Sequence, residues 1–153
     1  MIEYRDITLL DIPELVDMTL RFLDGSPTYR HIPRDEDKIC MMFENAVYSP
    51  DVFCRLAFSD DKLIGGMIGA ALEYYFSRER MAGDIAIIIE PEFRNSRIAV
   101  KLVDSFGKWA TSVGCREVTI GATTQSHGNG YERLLNRLGY ETVGFVTKKQ
   151  TER

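Results

Sequence analysis

Apolar positions along the chain switch between two spacings, and the switches outline the elements. Met1 to Asp6 alternates loosely, as a half-buried strand does. Ile12, Leu15, Val16, Leu20 and Leu23 then recur at helical spacing and predict a helix over 12–23. Asp11 stands three residues before Glu14, the spacing of a capping box, and Pro13 is tolerated in a first turn. Asp24-Gly25-Ser26-Pro27 ends that helix. A second is expected over 35–48, with Ile39, Met42, Phe43, Ala46 and Val47 on its inner face.

Beyond the turn residues Ser49-Pro50-Asp51, the period drops to two. Val52 to Phe58 reads as a strand, Ser59 to Lys62 as a hairpin turn and Leu63 to Tyr75 as the return strand. Gly65, Gly66 and Gly69 inside that strand suggest a bulge or a close backbone approach. Gly83 to Glu90 is the clearest buried strand and Pro91 stops it. Ala99, Leu102, Val103, Phe106, Ala110 and Val113 mark one face of a helix over about 95–113, with Gly114 as its stop. Glu117 to Ala122 is a further strand, then a polar loop to about 128. Tyr131, Leu134, Leu135 and Leu138 make a last helix, ended by Gly139, and Val143 to Lys149 a final strand. The fold expected is a single α/β domain over 1–153, without repeats or linkers.

Charge and composition narrow the function. The net charge is −4, whereas a generic nucleic-acid binder is basic, so no nucleic-acid partner is expected. The longest apolar run, Leu63 to Leu72, is about half of the roughly 20 residues a membrane helix needs, so no membrane is expected. Met1 to Asp6 carries no signal segment. Cys40, Cys54 and Cys115 have no close pair and fit reduced thiols in a cytoplasm. The histidines, His31 and His127, are far apart and neither is near a cysteine, so no metal site is expected. His127 has a suitable intrinsic pKa for proton transfer but falls in a Gly-rich loop.

The chemistry gathers where the buried strand meets the long helix, over residues 87–103. First-turn amides of a helix lack internal partners and point outward at the positive end of its dipole, which makes an anion site. Arg94, Arg97 and Lys101 surround this one on an otherwise acidic protein, fitting either a phosphate-bearing ligand or an ordinary solvated helix start.

The stretch resembles the acetyl-CoA motif of the GNAT superfamily of N-acetyltransferases. The family pattern is an apolar strand, then Pro-acidic-aromatic, then Arg/Gln-x-x-Gly-x-Gly/Ala opening a helix. Pro91-Glu92-Phe93 matches the lead-in, Arg94 the first motif position and Ala99 the last. Leu102, Trp109-Ala110 and the downstream Arg137-Leu138-Gly139-Tyr140-Glu141 fall where relatives carry similar residues. The resemblance implies a central, mixed, mostly antiparallel sheet flanked by helices. It implies acetyl-CoA as co-substrate, without a metal. It places the pyrophosphate on backbone amides of Arg94, Asn95, Ser96, Arg97, Ile98 and Ala99. The pantetheine arm would add to the strand at Ile87, Ile88 and Ile89 as a peptide adds to a sheet edge. That requires the next strand to splay away. An amide near Ile89 would polarise the thioester carbonyl.

Two positions depart from the pattern. Arg97 replaces a usual glycine, as the resemblance places in bacterial and phage-type members. Leu135 stands where relatives often carry a catalytic Tyr, and leucine donates no proton; Tyr131 lies one turn earlier on the same face. An amine must lose its proton before attack, so a general base is expected. Asp84 is the first candidate and Glu73, on the neighbouring strand, the second. The acceptor, a small-molecule or peptide amine, would be lined by residues 24–34 and 74–76, with Tyr29 and Tyr75 covering it. The net acidity favours a cationic amine. The implied activity is direct acetyl transfer in a ternary complex. The alternative is a catalytically silent GNAT fold that binds acyl-CoA or a protein. A nucleotide-binding module of another fold is disfavoured by the absence of its glycine motifs. An open sheet edge after the last strand points to a homodimer as one way to cover it.

Overall fold

In the computed structural model, which describes residues 1–94, 97–121 and 128–153, five strands form one sheet in the order of the chain. They are β1 (Ile2–Asp6), β2 (Val52–Ser59), β3 (Lys62–Glu73), β4 (Arg80–Ile89) and β5 (Cys115–Thr119). The first four pair antiparallel, and β4 pairs β5 in parallel. The helices are α1 (Ile12–Gly25), α2 (Glu36–Tyr48), α3 (Ile98–Ser112) and α4 (Gly128–Arg137).

Each face of the sheet has its own core. Ile12, Leu15 and Met18 of α1 and Phe43 and Ala46 of α2 close over Cys54, Leu56 and Ile68. On the opposite face Leu102, Val103 and Phe106 of α3 and Tyr131 and Leu135 of α4 close over Phe53, Met67 and Ala82. Because β3 is covered on both sides, it reads as a nearly unbroken apolar run. The glycine at Gly69 answers a close approach: a Cβ there would lie 2.5 Å from the Phe106 ring.

The bulge that the glycines suggest is present, but its extra residue belongs to the partner strand. Ile68 pairs with Ala86 and Gly69 with Asp84, so Ile85 is left without an opposite number on β3. The bulge reverses which way β4 faces. Ala82 packs towards α3 before it, and Ile87 and Ile89 do so after it, whereas Ala86 and Ile88 face α1 and α2.

Asp11 occupies the N-cap of α1, as its spacing predicts, but its side chain makes no cap hydrogen bond there. Its carboxylate turns back to Thr8, taking the amide at 2.7 Å and the hydroxyl at 2.9 Å, and receives both arms of the Arg5 guanidinium at 2.8 Å. A bidentate partner outcompetes a single helix amide for a nearly buried carboxylate. The Arg5 hydrogen bonds hold the Asp11 carboxyl below its usual range. A lowered folded pKa stabilises above the unfolded value of about 3.9, and that stability disappears as pH falls through the folded one. Asp11→Ala is therefore expected to cost about 1–3 kcal/mol near neutral pH and progressively less in acid. Urea unfolding at both ends of that pH range measures the difference.

The final strand over Val143 to Lys149 does not form. Gly139 (φ 95°) ends α4, with its amide on Asn136 and that of Tyr140 on Leu135, the two bonds of a Schellman stop. The Thr142 hydroxyl then donates to Glu132, and the Lys148 ammonium donates to the Thr28 carbonyl at 3.1 Å. These ties draw the segment towards the α1–α2 loop instead of along β5. Val143, Phe145 and Val146 are left 89%, 90% and 78% exposed.

Candidate active site

The central feature is a fork between β4 and β5. Their pairing runs from Arg80–Cys115 to Gly83–Thr119 and stops, whereas β4 continues to Ile89. Just beyond the last rung, the Gly121 amide donates to the Asp84 carboxylate at 3.0 Å. A side chain thus takes the place of the next backbone rung, and the β4 edge from Asp84 to Ile89 lies open on its β5 side among the described residues. This is the splay that main-chain pairing of an extended ligand requires.

At its far end β4 turns directly into the helix start. The Glu90 amide donates to Ile64 at 2.8 Å, holding the strand end on β3. Pro91–Phe93 makes a single 3-10 turn. The Arg94 Nε donates to the Ile89 carbonyl at 3.0 Å, which fixes this arginine beside the mouth of the fork. Arg97 sits at the N-cap of α3 with a non-extended backbone and no side-chain cap. Arg94, Arg97 and Lys101 are exposed, Ala99 is half-buried and Ile98 fully buried. Asn95 and Ser96 lie outside the described residues, as does His127.

Asp84 and Tyr131 come together electrostatically. Asp84 follows Ala82 onto the α3 and α4 face, where burial raises its pKa against the opposing effect of the Gly121 amide. Tyr131 is buried in that core, and its pKa is raised by burial first and then by the Asp84 charge. Leu135 is buried one turn away on the same helix face. Tyr140 joins the group: it is half-buried, and burial, Asp104 and Asp84 raise its pKa. Sequence reasoning missed it as a site residue. The apolar residue directly after the helix-stopping Gly139 was its signal, since that position folds back onto the last turn.

Glu73 is not brought into this group. It is exposed and faces Arg80 across the hairpin, four residues along β3 from Gly69, the partner of Asp84. That is roughly 13 Å along the strand. Tyr29 is half-buried and lines a pocket of about 610 Å³ with Leu23, Ile39 and Met42, between the end of α1 and the start of α2. Tyr75 is fully exposed at the β3–β4 turn, its ring edge-on to Phe76 at 5.1 Å, and does not line that pocket.

The cysteines are unpaired. Burial pushes Cys54 up to about 12. A hydrogen bond to Glu44 raises Cys40, and burial raises Cys115. None is a poised thiolate. Among the described residues no cluster of His, Cys, Asp and Glu could hold a metal ion, and no helix is long and apolar enough to cross a membrane.

The model of the Acetyltransferase (GNAT) family matches residues 16–140, most of the chain. The chain belongs to the GNAT acetyltransferase family. No curated protein sequence matches it, but solved GNAT structures superpose over nearly its whole length. AAC(6')-Iy in complex with the bisubstrate analogue CoA-S-monomethyl-acetylneamine aligns with a TM-score of 0.77 at 16% identity, covering 100% of this chain and 99% of that one. A predicted acetyltransferase with acetyl-CoA from Clostridium acetobutylicum gives 0.76 at 16%, covering 98% and 96%. Glucosamine-6-phosphate N-acetyltransferase from Arabidopsis thaliana gives 0.74 at 12%, covering 99% of each chain. At such identities the likeness is one of fold. That likeness of fold also takes in β1 and the residues past 140, outside the matched segment.

Proposed function

We propose that this GNAT protein transfers the acetyl group of acetyl-CoA to a primary amine by direct attack in a ternary complex. The observation that carries this is the fork: the ladder ends at Gly83–Thr119 and leaves the β5 side of the rest of β4 open among the described residues. The pantetheine arm lies along Ile87 to Ile89, with the pyrophosphate at the start of α3 between Arg94 and Arg97. A free β4 amide nearer Asp84, at the far end of the arm from the pyrophosphate, polarises the thioester carbonyl and holds the oxyanion.

Asp84 receives the proton of the attacking ammonium, directly or through one water. Its raised pKa brings it nearer to that of its partner. The free amine attacks the acetyl carbon. The tetrahedral intermediate then expels the CoA thiolate, which takes a proton from Tyr131 or from water. Glu73 is the second candidate for the base. No cysteine takes part, in line with the raised pKa values of all three thiols. A reducing cytoplasm suits them.

Acceptor-dependent release of CoA thiol tests the activity. Calorimetric titration with acetyl-CoA tests the co-substrate site. Micromolar binding is expected, weakened at least roughly tenfold in Arg94→Ala/Arg97→Ala, since two charge-assisted contacts to phosphate disappear. Unchanged binding would remove both arginines from the pyrophosphate site.

Leu135 and Arg97 favour the second reading, a silent acyl-CoA-binding GNAT fold. Leu135→Tyr separates the two: a large gain in rate would mean that the natural site lacks its acid.

A homodimer is the proposed assembly. Val143, Phe145 and Val146 present strand-forming side chains to solvent, and the outer edge of β5 is unpaired among the described residues. Pairing the tail of one copy with β5 of another covers both. Light scattering at micromolar concentration should give twice the monomer mass, and Phe145→Asp should restore the monomer.

A further inference from the structure

Acetyl transfer from a thioester to an ammonium acceptor releases one proton. Two protons leave the nitrogen on the way to the amide. The thiolate keeps one, and the other must reach solvent before the next turnover. In the transferase reading above, on which this step rests, that proton is on Asp84. While co-substrate and acceptor fill the fork, the open side of β4 is closed to water. The proton then needs a way out on the α3 and α4 side.

The structure holds such a route. Gly69 of β3 is the partner of Asp84, and the Phe106 ring of α3 lies over Gly69, 2.5 Å from where its Cβ would be. Paired residues of antiparallel strands share a face, so Asp84 stands beside that ring. The next residue of α3 is Gly107, and a Cβ there would lie 3.7 Å from the Tyr140 hydroxyl. The Schellman stop folds Tyr140 back against the α3 and α4 core. Its hydroxyl is thereby held at the level of Asp84 along the strand.

Behind the phenol is a cavity of about 220 Å³, lined by Tyr140, Gly107, Asp104, Lys108 and Thr111 among others. One water requires roughly 10–15 Å³. Asp104 on its wall is 52% exposed and pairs with Lys108 at 2.9 Å, so the cavity reaches solvent. The titratable groups around the phenol are thus Asp84 from β4, Asp104 and Lys108 from α3 and Tyr131 from α4. Tyr131 also feels the Asp84 charge, but it is buried in the core and does not line the cavity. Burial and the charges of Asp104 and Asp84 keep the Tyr140 phenol protonated. It can therefore accept a proton only as it gives one up.

We infer that Tyr140 is a positioning residue for proton release, its hydroxyl linking Asp84 to the cavity beside Asp104. The Asp84 carboxyl gives its proton to the phenol oxygen, directly or through one water. The phenol gives its own proton to water in the cavity, from which it passes to Asp104 or to buffer. Asp84 returns to carboxylate, Tyr140 ends as the neutral phenol, and no electron changes hands.

Tyr140→Phe keeps the ring and removes the oxygen, and its Tm should be nearly that of the natural protein. Acceptor-dependent CoA release is expected to fall about tenfold in kcat, less than on loss of the base itself, with KM for acetyl-CoA and for the amine unchanged. Imidazole at rising concentration should restore the rate of the variant and leave that of the natural protein alone, because a diffusible carrier in the cavity replaces the phenol. The solvent deuterium isotope effect on kcat should be larger in the variant. A role in packing alone gives no buffer dependence, so this readout decides even if Tm falls. A natural rate in Tyr140→Phe, or a loss that imidazole does not restore, overturns the inference and leaves the transferase reading intact. No turnover of any amine by the natural protein, with acetyl-CoA still bound in calorimetry, removes the transferase reading and this step with it.

Discussion

Asp84→Asn is expected to lower acceptor-dependent CoA release by about 10²–10⁴-fold, the range of a lost general base, while making the protein no less stable near neutral pH. The two effects share one cause. Burial raises the pKa of Asp84 in the folded protein. A carboxyl with a raised folded pKa contributes its stability below the unfolded value and loses it as pH rises through the folded one. At neutral pH the ionised Asp84 therefore works against folding, and asparagine removes that charge. Its amide oxygen still accepts the Gly121 amide, so the tip of the fork is kept. The rate should rise with pH through the raised pKa of the natural enzyme, and this limb should be missing from the residual rate of the variant. Retained acetyl-CoA binding shows that the loss is in chemistry. A variant as active as the natural protein would transfer the base role to Glu73 or to water.

The largest loss of stability is expected at Phe106. Its ring is wholly buried, packs against Phe53 at 5.2 Å and Trp109 at 5.7 Å, and fills the space above Gly69. Phe106→Ala should cost about 3–5 kcal/mol. At roughly 2–4 °C per kcal/mol for a chain of this size, Tm should fall on the order of 6–20 °C. Gly69→Ala should cost about 1–3 kcal/mol, because its Cβ would fall on the same ring. The two changes interact. With the ring gone, the alanine at 69 meets chiefly the Gly83 carbonyl, at 2.9 Å. Its cost should shrink by roughly 1 kcal/mol or more, a coupling a double-mutant cycle reads directly. Simple additivity would mean that the ring already moves aside freely.

Elements whose apolar period was long were legible before the structure. α1, α2 and α3 lie within a few residues of their expected spans because their buried faces repeat over three turns or more. The strand-stop-helix joint at Pro91 was legible because proline, charge reversal and the helix onset fall together. The fold family followed from that joint and its register with Trp109-Ala110 and Gly139. What failed was what depends on partners distant in sequence. Asp11 has the right spacing for a cap, but the chain cannot announce that Arg5 of β1 will reach it first. Val143 to Lys149 has strand-forming residues, but a strand exists only where an edge accepts it. The tail is drawn to Thr28 instead. In the site, Asp84 could be named as a carboxylate near the fork. Its environment could not, since the Gly121 amide, Tyr131 and Tyr140 arrive from three later segments. Glu73 looked equivalent on the neighbouring strand, and the register separates the two.

The unmatched residue at Ile85 makes β4 a strand of two phases. A regular pleat sends every second side chain to the same side, so Asp84 and Ile87 would look in opposite directions. With one residue left out of the count, both look towards α3. The joint lets the half-strand that carries the carboxylate and the half-strand that would carry the co-substrate address one chamber, although neither half alone departs from ordinary strand geometry. Deleting Ile85 would restore a uniform ladder with both halves still on one side, whereas drawing Ile85 into the pairing would turn the carboxylate and the co-substrate half of the strand to opposite sides of the sheet. One extra residue thus sets the phase between binding and chemistry.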